Sequence, residues 1–106
     1  MYKITKTVTL LILAGTAGWA ADLKAGKTAY DQACKSCHGP DGTGSAAIAK
    51  MMKVEMKDLK SAEVQGLSNE AMENVVKEGK GKMTPVKSVS GSGVDNVVAY
   101  VKSLKK

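Results

Sequence analysis

Cys34-Lys35-Ser36-Cys37-His38 gathers both cysteines and the single histidine of the chain into five consecutive positions. Upstream, Asp22 is a good N-cap, and Leu23, Gly26, Ala29, Tyr30 and Ala33 recur at helical intervals, so a helix runs straight into the first thiol. Downstream, Gly39-Pro40-Asp41-Gly42-Thr43-Gly44 is a cluster of turn formers that ends the helix in a tight loop. A structural zinc needs more protein ligands than two cysteines and one histidine. A redox C-x-x-C belongs in a βαβ context, for which no strand signal is present. A Cys34–Cys37 disulfide would close a loop too short to stabilise much.

C-x-x-C-H is the attachment signal for a c-type haem. Two thiols three positions apart on one helical turn can add to the two vinyl groups of the porphyrin, and the residue that follows offers an imidazole to the iron. Cys34, Cys37 and His38 are therefore the candidate haem-binding residues, with His38 as an iron ligand.

The rest of the chain is helical in pattern. Ser45–Met52 reads as a short helix, Ser61 caps a turn through Gln65, and Ser68 caps a helix to Glu78 with Gly79 as its stop. Met72, Val75 and Val76 share one face of that helix. Gly79-Lys80-Gly81-Lys82-Met83-Thr84-Pro85 breaks structure and puts Met83 on a loop. Ser92 with Asp95 gives a capping-box-like start to a last helix, whose stripe is Val94, Val97, Val98, Val101 and Leu104. The class is all-α.

Composition points the same way. The 106 residues include 16 lysines and no arginine against 10 acidic residues, and there is no phenylalanine. Lys3 and Lys6, the apolar run from Val8 to about Ala14 and the small residues through Ala21 have the order of a secretory signal peptide, with cleavage expected after Ala20. The run is too short for a membrane-spanning helix. Removing residues 1–20 leaves 86 of the 106 residues, and the loss of Lys3 and Lys6 takes the formal charge from +6 to +4. The mature segment, 21–106, then has only Tyr30 and Tyr100 as aromatics, a thin core for a chain this small. A large flat apolar cofactor supplies the missing bulk.

With these features the sequence resembles the class I c-type cytochromes, small single-haem electron carriers of the bacterial periplasm. In that family a glycine and an aromatic on the first helix cross an aromatic on the last one. Gly26 and Tyr30 match the first element, and Tyr100 matches the second. The resemblance implies a cytochrome c fold of three to five short helices around one covalent haem, with loop Met83 as the second axial ligand. Two features depart from the family pattern. Thr84 separates Met83 from Pro85, and no proline lies between Pro40 and Pro85 to supply the carbonyl that often receives the proximal imidazole N–H.

With one histidine, a single chain cannot ligate iron through two imidazoles. Met83, on a glycine-flanked loop, can reach the haem face opposite His38. Met72 reads as core, Met51, Met52 and Met56 would ligate only by folding back, Lys80 and Lys82 read mainly as solvated charges, and an open or water-bound iron is the remaining alternative. His/Met ligation favours reduced iron.

The expected function is one-electron transfer between periplasmic or membrane-bound redox partners, not enzymatic catalysis, by a monomer without stable membrane insertion after signal cleavage. The alternatives are a haem subunit of a larger dehydrogenase or oxidase, and a ligand-binding or peroxidase-like haem protein with an open sixth site. Nucleic acid is set aside because arginine is absent and aromatics are scarce. Lys35, Lys80, Lys82 and Lys87 could steer redox partners with acidic docking faces.

Overall fold

The computed structural model describes residues 21–104. The expected signal peptide, residues 1–20, lies outside the described residues. Six helical segments follow in order: α1 (Leu23–Ala33), α2 (Lys35–His38), α3 (Ala46–Met52), α4 (Ala62–Gln65), α5 (Asn69–Glu78) and α6 (Ser92–Ser103). Among the described residues the only β-type pairing is an isolated bridge between Lys80 and Met83. The count exceeds the expected three to five because Cys34, at φ −120°, interrupts α1 and sets the C-x-x-C-H turn apart as α2.

Local capping explains most of the boundaries. The Asp22 side chain accepts from Ala25 N–H, Ser45 from Ile48, Ser61 from Val64 and Ser68 from Ala71, each satisfying a first-turn donor that has no helical partner. The last helix differs from expectation. Ser92 is its first helical residue, Gly91 stands at the cap with φ 57°, and no side chain caps it. A positive φ suits glycine, so the chain turns into α6 through backbone geometry rather than a serine hydroxyl.

The core lies where α1 crosses α6 and α5 packs beside them. Tyr30, Cys34, Met72, Val76, Val89, Val94, Val97 and Val98 are buried, with Val101 and Tyr100 packed against them. The crossing is close because Gly26 is buried against α6: an added Cβ would overlap the Asn96 carbonyl oxygen and sit 3.0 Å from Tyr100 Cβ. The Asn96 side chain accepts the Asp22 backbone N–H at 2.9 Å, pinning the start of α1 to the same place. One turn on, the rings of Tyr30 and Tyr100 meet with centroids 5.2 Å apart, tilted by 54°. The glycine and both aromatics thus take the positions implied by the sequence resemblance.

Candidate haem site

Cys34, Cys37 and His38 stand together on a single turn. Cys34 ends α1 and begins α2, with its N–H donating to the Tyr30 carbonyl at 2.8 Å and its own carbonyl accepting from His38 at 2.9 Å. Both thiols are free, Cys34 buried and Cys37 half-buried. Burial pushes the Cys34 thiol up and the His38 imidazole down. A neutral imidazole keeps the lone pair that a metal requires.

Tyr30 connects this turn to the helix crossing. Its hydroxyl donates to the Gly39 carbonyl at 2.6 Å, just past His38, and the side chain has no exposed surface. Burial pushes the phenol up to about 12. The loop that follows folds back on the turn: Gly44 N–H donates to the His38 carbonyl at 2.7 Å and Ser45 N–H to that of Cys37 at 2.8 Å. Lys60 holds the loop from outside, donating to Thr43 Oγ1 at 3.1 Å and lying 3.5 Å from the Asp41 carboxylate. Met56 packs directly against Gly44, where an added Cβ would sit 2.8 Å from Met56 Cγ.

His38 Nδ1 is buried and has no hydrogen-bond partner among the described residues. A ligating histidine is normally oriented through its second nitrogen, for which some carbonyl is the expected acceptor. The carbonyls of Cys37 and His38 accept from the returning loop, and that of Gly39 accepts from Tyr30.

Met83 stands on a separate element. Gly81 and Lys82 make a two-residue turn closed by Lys80 N–H to the Met83 carbonyl at 2.9 Å and Met83 N–H to the Lys80 carbonyl at 3.0 Å. Gly79, at φ 79°, leads into it, and an added Cβ there would overlap the Met83 carbonyl oxygen. Val86 N–H donates to the Val76 carbonyl at 2.8 Å, returning the chain to α5. The other methionines separate by environment: Met72 is core, Met51 is 71% exposed, and Met52 and Met56 are half-buried. Sequence reasoning missed that Lys82 donates to the Met52 carbonyl at 2.6 Å, a contact across 30 residues with no local signal.

Residues 21–101 match the family model described as cytochrome C oxidase, cbb3-type, subunit III. The chain belongs to this family of class I c-type cytochromes. It is 33% identical over 92 residues to cytochrome c-554(547) of Halothiobacillus neapolitanus, covering 81% of this chain and all of that one. A solved structure, the KustC0563 c-type cytochrome, superposes with a TM-score of 0.65 at 30% identity, covering 76% of this chain and 98% of that one. The all-α cytochrome fold and a covalently bound haem c with iron go with this membership. As a cytochrome, the chain is a haem c electron-transfer protein that works with redox partners. Among the described residues no helix is long and apolar enough to cross a membrane.

The donor set fits haem c. Two free thiols on one turn, an imidazole beside them and a thin core are what such a group requires, and the buried His38 Nδ1 has no partner among the described residues.

Proposed function

We propose that the protein is a monomeric one-electron carrier of the periplasm, released from residues 1–20 by signal cleavage and not itself an enzyme. The observation that carries the reading is the Cys34–His38 turn, where two free thiols adjoin an imidazole whose buried Nδ1 has no partner among the described residues. Cys34 and Cys37 would hold the haem through thioethers, and His38 and Met83 would ligate its iron. Bound haem c supplies a reversible ferric/ferrous couple.

The protein's own part is to hold and insulate. Tyr30 fixes the C-x-x-C-H turn to the α1–α6 crossing, and Lys60 and Met56 hold the loop after His38 against it. The paired Lys80–Met83 turn presents a thioether, a soft ligand that favours reduced iron. With His38 and Met83 both given to iron, the chemistry such a haem would supply is outer-sphere electron transfer. Lys35, Lys80 and Lys87 are exposed cations that would steer acidic redox partners toward the protein. Lys82 is exposed as well, but its ammonium is engaged with Met52.

The test is expression of the full chain with haem-attachment machinery, read by mass and by oxidised and reduced absorption spectra. The expected product is residues 21–106 plus one haem, with a weak sulfur-to-iron band at long wavelength when oxidised and no rapid binding of carbon monoxide when reduced. A colourless folded chain with two titratable thiols would overturn the haem assignment, and rapid carbon monoxide binding would overturn the carrier reading.

A further inference from the structure

We infer that Lys82 is a positioning residue for Met83, acting as a strap from the methionine turn to the end of α3. The inference rests on the reading of Met83 as an iron ligand. The turn Lys80–Met83 is anchored at its base: Gly79 N–H donates to Val75, and Val86 N–H to Val76, both on α5. Its tip has one anchor among the described hydrogen bonds, the Lys82 ammonium on the Met52 carbonyl at 2.6 Å.

That carbonyl suits a cation. Met52 is the last residue of α3, and the two N–H groups that turn back there, those of Lys53 and Val54, donate to Ala49 and Lys50 instead. Carbonyls at a helix C-terminus lack helical partners and carry partial negative charge. An ammonium–carbonyl bond is charge-assisted and therefore stronger than a neutral one.

The strap matters because a thioether is a weak, neutral ligand, whose retention depends on how tightly the chain restricts its motion. Two glycines in the segment, Gly79 at φ 79° and Gly81 at φ 58°, leave the backbone free to adopt alternatives. Fixing the tip at Met52 removes that freedom and keeps the Met83 sulfur at high effective concentration. Lys82 would thereby act on the metal through its neighbour, its own ammonium being held by the Met52 carbonyl.

The test uses the holoprotein with Lys82→Ala, Lys82→Arg and Lys80→Ala. Lys80→Ala removes the same charge from the same turn without cutting the strap. The measurements are imidazole affinity of the oxidised protein, the long-wavelength sulfur-to-iron band, and hydrogen exchange at Met83 N–H. For Lys82→Ala the expected result is about tenfold tighter imidazole binding, a reduced band and faster exchange, a tenfold change being the loss of one such bond. Lys82→Arg should restore most of each, and Lys80→Ala should match the parent. Equal imidazole affinity in Lys82→Ala and Lys80→Ala overturns the strap. Failure of the underlying reading shows separately, as a band and an imidazole affinity unchanged in Met83→Ala.

Discussion

Gly26 lies against the Asn96 carbonyl so closely that the methyl group of an alanine would overlap it. The neighbour is helix backbone, which cannot swing aside as a long side chain can. Gly26→Ala is therefore expected to push α1 off α6 at a cost of roughly 1–3 kcal/mol, in the range of overpacked cores. The urea midpoint of the holoprotein measures it, and a midpoint equal to the parent's would mean that the crossing relaxes.

Tyr30 provides the pH-dependent contribution. Its phenol, raised from about 10 to about 12 in the folded state, holds its proton after the unfolded chain has lost it. The associated stability is intact below pH 10 and is lost as pH climbs through 12, amounting to about 2–3 kcal/mol at one to two kilocalories per pKa unit. In Tyr30→Phe the decline between pH 10 and 12 should be shallower by that amount. At neutral pH the variant should be less stable by about 1–2 kcal/mol, because the Gly39 carbonyl loses its donor.

The methionines test the axial assignment. Met83→Ala should abolish the sulfur-to-iron band, lower the reduction potential and admit exogenous ligands to the iron. Met51→Ala, at a side chain 71% exposed, should leave all three as they are. Visible spectroscopy with a redox titration separates the two, and the reverse pattern would move the ligand to α3.

The exposed lysines predict a salt response. Electron-transfer rates with an acidic partner should fall steeply as ionic strength rises from about 0.01 M to about 0.15 M, as the Debye length shrinks from about 30 Å to about 8 Å. Stopped-flow traces against ionic strength decide the matter, and a flat profile would remove the steering.

What could be read from the sequence was what neighbours along the chain decide. Asp22, Ser61 and Ser68 cap their helices because each hydroxyl or carboxylate reaches a donor three residues on. Cys34, Cys37 and His38 were legible together because the turn that unites them is contiguous. Ser92 misled because Gly91 has a positive φ, and the path of the incoming loop, not the serine, sets that end. The Tyr30–Gly39 bond, the Lys82–Met52 strap and the Lys102 ammonium on the Gln65 carbonyl at 3.0 Å depend on where remote segments arrive. Propensity and periodicity carry no trace of such contacts.

The partners at the α1–α6 crossing lie far apart in the chain, 74 residues in the case of Asp22 and Asn96. Closing so large a loop is entropically costly and slow, and it must wait until nearly all of the polypeptide has been delivered. The two ends of the described chain therefore clasp each other, and a cut anywhere between them would leave each helix without the face it packs on.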